Sequence, residues 1–259
     1  MYTINAIIAA FRQHWKNTTA NMWSLSFFFG AVPQIAVYGW IAIQNPDPLI
    51  LGYLSVGAPF GAIWNSVFFG IAGSLSSEIW NGTAEFTMIS RTSMLVALFG
   101  KSLAMMVFGI PVGIISITTM LTVARQMPQI DSYPLVFVSV IVILIGLMAT
   151  GLVMAPVIAL ARGRTAGMFT LFLPIIVVFS GFLFPISSLP PGLAIAARIL
   201  PSSWAMDSVM QAVKGPDSAW AVISGWLFSL LLSAALLALT YFLFKKVEKR
   251  LRITGLMVY

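Results

Sequence analysis

Long uncharged apolar runs dominate the chain. Met22–Ile43, Leu51–Leu75, Leu103–Val123, Pro134–Leu160, Met168–Phe184 and Trp220–Phe244 contain no Asp, Glu, Lys, Arg or His. A helix needs about 20 such residues, at roughly 1.5 Å each, to cross a hydrocarbon core of about 30 Å. All six runs approach or exceed that length, the fifth by the least margin. Transmembrane barrels alternate lipid-facing and lumen-facing residues and would not show continuous runs. The pattern predicts an all-α integral membrane protein with six transmembrane helices, in which residues 1–259 form a single membrane domain.

The polar stretches between the runs carry their own patterns. Ile4, Ile7, Ile8, Phe11 and Trp15 recur at three- and four-residue spacing, with Asn5, Arg12, Gln13 and Lys16 opposite them. This predicts an N-terminal amphipathic helix at the inner membrane surface. Asn45-Pro46-Asp47-Pro48 is a turn signal, so the first two runs should form a tight hairpin. Ser76–Lys101 is too long for a turn and mixes charge with Ile79, Trp80, Phe86, Met88 and Ile89, as a helix with something to contact would.

Pro185–Ala219 should lie outside, yet it is rich in Leu, Ile, Ala, Met and Trp. Pro190-Pro191 can open one short helix through about Leu200, and Pro201-Ser202-Ser203 can open a second. Two short external helices are therefore expected between the fifth and sixth runs, dipping into the outer leaflet or capping the bundle. Leu193, Ile195, Ile199 and Trp204 would then be shielded, with Lys214 and Asp217 in water.

Composition agrees: 59% of the residues are hydrophobic and 8% charged, against roughly 25% charged in soluble domains. The net charge of +7 is a topology signal and does not point to nucleic acid. With the N-terminus inside, eleven Lys and Arg residues fall on the cytoplasmic side, leaving Arg125, Arg198 and Lys214 outside; such a bias fixes orientation. Both termini are expected in the cytoplasm. The first run is longer than the apolar core of a cleaved leader and reads as a permanent span.

Most catalytic chemistry is missing from these runs. There is no cysteine, and the one histidine, His14, precedes the first run. Intramembrane hydrolysis would need a nucleophile and base or paired carboxylates at depth. Ion-coupled transport usually employs intramembrane ionisable groups, although backbone carbonyls could still hold an ion. Gly100-Lys101-Ser102 imitates the end of a phosphate-binding loop, but the required earlier glycine is Leu95. Lys101 reads as an inner anchor reaching the headgroups. Pro33, Pro59, Pro111, Pro156 and Pro174 interrupt five of the runs. In the second, Gly57, Gly61 and Asn65 recur every four residues beside Phe60, Trp64 and Phe68. The glycines suit close helix contact, and Asn65 and the aromatic row are read either as packing or as substrate contacts.

Two segments together resemble the permease subunits of ABC-2 type transporters. One is Glu78-Ile79-Trp80-Asn81-Gly82-Thr83-Ala84-Glu85. The other is Ser180-Gly181-Phe182-Leu183-Phe184-Pro185, followed by Leu189-Pro190, Leu200-Pro201 and Asp207. The resemblance implies that Glu78–Ile89 is a coupling helix docking on an ATP-hydrolysing partner, with Glu78, Gly82, Thr83 and Glu85 at the contact. Glu78 and Glu85 would share one face if the helix is continuous, but Gly82 could break it. It also implies an external re-entrant segment through Gly181, Pro185, Pro190, Pro201 and Asp207. A substrate path would run at a permease dimer interface, with Trp64, Asn65, Phe68, Phe172, Phe179 and Phe182 as its wall.

On this resemblance the chain is the permease subunit of an ATP-driven exporter in the cell membrane. It would move a drug-like compound, lipid or lipid-linked glycan, together with ABC ATPase subunits and a second or homologous permease. ATP and Mg would bind the partner; the chain itself would hold no cofactor or metal. The alternative is an ion-coupled carrier or channel that does not use ATP.

Overall fold

The computed structural model describes residues 2–20, 36–41, 43–44, 48–83, 93–124, 130–160, 174–215 and 219–254; these are helical apart from short turns, and no strand occurs among them. The helices are α1 (Tyr2–Ala20), α2 (Pro48–Trp80), α3 (Met94–Ala124), α4 (Tyr133–Leu160), α5 (Pro191–Ala197), α6 (Pro201–Lys214) and α7 (Ala219–Thr254), with a 3-10 turn at Ile186–Ser188. Residues 36–41, 43–44 and 174–179 are helical as well.

Among the described residues, four stretches are long and apolar enough to cross a membrane: Leu51–Ile79, Met94–Thr119, Tyr133–Ile158 and Ala219–Lys246. They coincide with the second, third, fourth and sixth apolar runs. The first run is described only within 36–44. The fifth is described from Pro174, and its helix stops at residue 179 instead of continuing to Phe184. Gly181 forces the stop with φ 73, a left-handed conformation that ends helices.

α2 and α3 extend further than their uncharged cores, so the predicted connection from 76 to 101 shrinks to 81–93. α2 ends on a Schellman turn: Gly82 adopts φ 67, its N–H donates to the Ile79 carbonyl (3.2 Å), and Thr83 N–H donates to Glu78 O (2.9 Å). The two bonds satisfy carbonyls that the helix end would otherwise leave bare.

The principal pairings join α2 to α3, α4 to α7, and α1 to α3, while α6 is wedged between α4 and α7. Close contacts give the directions. Gly151 of α4 lies beside Ile71 and Val67 of α2, and Gly70 of α2 beside Met105 of α3. Gly113 of α3 lies beside Pro59, so α3 runs against α2. α6 runs against α4 (Pro201 at Gly146, Gly215 at Asp131) and against α7 (Trp204 at Phe228, Ser208 at Val222). Lys214 meets Tyr53 near the start of α2, so α2, α4 and α7 run one way and α3 the other. The bundle has an α1 end, where α2 stops and α3 starts, and an α6 end, where α2, α4 and α7 begin.

The core lies along α2, whose Trp64, Phe68, Ile71 and Leu75 pack with Ile143, Leu147, Met206 and Val209. Hydroxyls in these helices turn back on their own turns: Ser55 donates to Leu51 O (2.7 Å) and Thr150 to Gly146 O (2.8 Å). That lets a polar residue sit in an apolar surrounding. α7 shows the depth of immersion. Trp220 and the Tyr241, Phe242 pair are exposed, and the 22 residues from Trp220 to Tyr241 span roughly 32 Å, about the thickness of the hydrocarbon core. Aromatics favour its two borders.

Gly57 is where the turn after residue 179 meets α2. A methyl group added there would lie 1.9 Å from the Phe182 carbonyl oxygen, whereas one at Gly73 would meet nothing within 4 Å. Gly57→Ala should therefore cost roughly 1–3 kcal/mol through overpacking, and Gly73→Ala should be neutral or stabilising. Thermal unfolding of the two variants in the same detergent checks the contrast; equal midpoints would refute the close approach.

Candidate functional site

At the α1 end, three elements converge on a buried polar cluster. Glu78 occupies the last turn of α2 and Lys101 the second turn of α3, and their side chains form an ion pair, 18% and 9% exposed respectively. α1 closes over this pair because Gly100 has no side chain: a methyl group there would stand 2.6 Å from the Ile7 carbonyl oxygen. α1 then follows α3, with Thr18 Oγ1 3.8 Å from Met105 Sδ and the Trp15 ring edge-on to Phe108 at 6.3 Å. Ile4 and Ile8 stay exposed, so only part of the apolar face of α1 is spent on the bundle. His14 lies within electrostatic reach of Lys101. Burial first, and then that positive charge, push the imidazole down to about 4.

Two expectations change here. Lys101 is not an anchor reaching for headgroups; it turns inward to Glu78, because a carboxylate of α2 faces it and α1 shuts out solvent. The continuous helix on which Glu78 and Glu85 would share a face stops at Trp80, with Gly82 at positive φ just beyond it. Glu85 lies outside the described residues. Gly82 and Thr83, with Asn81, form an exposed turn. The apparent phosphate loop at Gly100 is interior helix, where the glycine serves α1 packing.

The aromatic row is core. Trp64 and Phe182 are 0% exposed and Phe68 is 1%; the Trp64 and Phe68 rings lie 5.3 Å apart, and Phe182 meets Phe60 at 6.3 Å. These three side chains were expected on the wall of a path between permease copies. They are instead enclosed within one chain, because α4, α6 and the turn at 180–184 cover that face of α2. Asn65 and Phe179 are half-buried, and Phe172 lies outside the described residues.

At the α6 end the segment from Gly181 to Lys214 is assembled from its turn residues. Pro185 precedes the 3-10 turn, Pro190 precedes α5, and Pro201 opens α6, each where proline's fixed φ favours starting a turn or helix. Pro201 packs on Gly146, a methyl group there standing 3.3 Å from Pro201 Cβ. Gly146 is thirteen residues into α4, counting from Tyr133, or about 20 Å of helix. α6 therefore begins deep in the bundle and climbs to Lys214, whose ammonium stands 5.6 Å from the Tyr53 ring centre.

Most of α6 is buried against neighbouring helices, so it is not a helix resting in the leaflet. α5 fits that description better: Leu193, Ile195 and Ile199 are 46%, 71% and 63% exposed to whatever surrounds the protein. Trp204 is half-buried and Lys214 exposed, while Asp217 lies outside the described residues. Arg198 pairs with Asp207 (2.5 Å), and its guanidinium stacks 4.5 Å from the Trp204 ring centre. The sequence pattern did not connect Arg198, Lys101 or His14 to these sites; the available signal was a charged residue beside a glycine (Lys101) or at a helix boundary (Arg198) in an apolar context, and His14 carried none.

A family model described as ABC-2 family transporter protein matches residues 3–242 of the chain. No individual curated protein gives a significant match.

The α1-end cluster yields two predictions. Breaking the buried pair by Lys101→Met should cost roughly 3–5 kcal/mol, because Glu78 keeps an uncompensated charge, and Glu78→Gln added to it should recover much of the loss. Thermal melts of single and double variants decide; additive losses would sink the idea. For His14, the folded pKa lies below the ordinary value of 6.5, so the unfolded chain binds the extra proton between those values. Stability should hold above pH 6.5 and fall as the pH drops towards 4. His14→Gln should flatten that slope, and an unchanged slope would assign it to other groups.

Proposed function

The chain belongs to the ABC-2 family of transporter proteins, and from that premise we propose that it is the membrane permease of an ATP-driven exporter. Its cargo would be amphiphilic or hydrophobic, its energy would come from separate ABC ATPase subunits, and a second copy or a homologous permease would complete the complex. The family match across 3–242 carries this reading.

Connectivity supports six crossings with both termini on one side. α1 sits at one end of the bundle and Pro48 at the other, so the chain must pass between them. α4 leaves at the α1 end, whereas Phe182 lies against Gly57 on the α6 side of the centre, which requires another passage. Assigning the α1 end to the cytoplasm follows the basic bias, including the exposed Lys245 and Lys246 beyond the Tyr241, Phe242 border.

The α1 end has the features that transmission from an ATPase needs. The exposed turn at Asn81, Gly82 and Thr83 is a rigid handle on α2. A push on it is passed to α3 through the Glu78–Lys101 pair and to α1 through the Gly100 contact, so three helices would move together. Glu85 would add a contact to the partner. Cargo would pass between permease copies, and Asn65 and Phe179 are the half-buried members of the predicted wall that remain candidates to meet it.

The isolated chain should neither bind nor hydrolyse ATP, and cargo-stimulated hydrolysis should appear when it is reconstituted in vesicles with an ABC ATPase. Robust turnover by the chain alone would overturn the subunit reading. Transport driven by an ion gradient without ATPase would favour the ion-coupled carrier.

A further inference from the structure

Arg198 and Asp207 are charged groups placed where charge is expensive. α6 starts beside Gly146, and Asp207 lies seven residues, about 10 Å of helix, short of its exposed end at Lys214. The neighbouring helix α4 has no charged residue at all, and α7 has none before Lys245. An ion pair in such surroundings loses hydration that its attraction barely returns, and an apolar pair of similar volume would often hold the fold as well. Ionisable groups at membrane depth are accordingly functional by default.

The pair also sits at a junction. The Trp204 indole N–H donates to the Arg198 carbonyl (2.9 Å) while the Arg198 guanidinium covers the Trp204 ring. Trp204 in turn stacks on Phe228 of α7 at 4.7 Å. One arginine thus ties the segment after α5 to α6 and, through the tryptophan, to α7. On both sides of this junction α6 also meets its neighbours through small and hydroxyl residues. Ser180 and Ser202 share a hydrogen bond of 2.7 Å, and Ser208 donates to the Val222 carbonyl (3.1 Å). A methyl group at Gly225 would fall 2.1 Å from Ser208 Oγ. These small-residue contacts stand beside the larger apolar side chains of α6, Met206, Val209 and Met210, which pack into the core.

We propose that Arg198 and Asp207 are positioning residues that latch α6 into the bundle across the exit side of the transport path, and that cargo leaves only when this pair opens. The proposal rests on the permease reading. The pair is half-buried, its side chains 33% and 26% exposed, and a polar latch of this kind can be exchanged for water when the exit hydrates, whereas an apolar plug cannot.

The cysteine-free sequence permits a direct test in intact cells expressing the full chain, using a membrane-impermeant maleimide. Ser203→Cys reports the buried first turn of α6, and Ser187→Cys, an exposed position, controls for reagent access and folding. With the native pair, the Ser203 reporter should label slowly. Adding Asp207→Asn or Arg198→Gln should accelerate it about tenfold, the change that corresponds to about 1.4 kcal/mol. The reversed pair, Arg198→Asp with Asp207→Arg, should restore slow labelling, which a residue needed only for side-chain volume would not do. Monodisperse elution of each variant and unchanged Ser187 labelling exclude unfolding as the cause.

Unchanged Ser203 labelling in both single variants, or failure of the reversed pair to slow it, overturns the latch. In complex with the ATPase, ATP should accelerate Ser203 labelling of the native pair. Pair-dependent labelling that ignores ATP would overturn the link to cargo exit while leaving the mechanical latch in place.

Discussion

In a hydrocarbon surrounding, a backbone or side-chain polar group has no water to turn to, and each one must find its partner inside the protein. Much of the architecture follows from that constraint. It makes the chain helical, folds serine and threonine hydroxyls back onto carbonyls of the preceding turn, and closes α2 with a Schellman turn. The same constraint explains the placement of glycine at helix crossings. Where Gly57 faces the Phe182 carbonyl and Gly100 faces that of Ile7, backbones approach so closely that neither water nor lipid can enter.

Charge obeys the rule in a stricter form. Two ion pairs stand at opposite ends of the bundle, Glu78 with Lys101 and Arg198 with Asp207, and each connects segments far apart in function. The first binds the end of α2 to the start of α3 under the cover of α1; the second binds the segment after α5 to α6. Between them runs the almost wholly apolar core of α2. A motion begun at one pair has a direct route to the other through that helix, since α2 packs on α3, α4 and α6.

The sequence was most readable where one physical rule acts alone. Uncharged length located α2, α3, α4 and α7, and proline with serine located the openings of α5 and α6. It was less readable where charge was taken to end a span. That rule holds for an unpaired charge, and Glu78 and Lys101 neutralise one another, so both helices continue past the expected limits. The aromatic row illustrates a different limit. A four-residue spacing establishes that Phe60, Trp64 and Phe68 share a face of α2, but not what covers it, and the covering elements come from a turn more than a hundred residues later. Gly82 could be read from sequence as a helix breaker, and the structure gives it that role.

α6 has a consequence for biogenesis. One of its flanks packs on α4, which is synthesised earlier, and the other on α7, which is synthesised later. A helix of 14 residues is marginal by itself and too short to cross the bilayer. While the ribosome is still making α7, half of α6 has no protein to lie against, and Ser208 lacks the Val222 carbonyl that it bonds in the finished fold. α6 must therefore settle last, after α7 has been inserted, and any delay at that step leaves its first turn open to lipid, water and quality-control proteases.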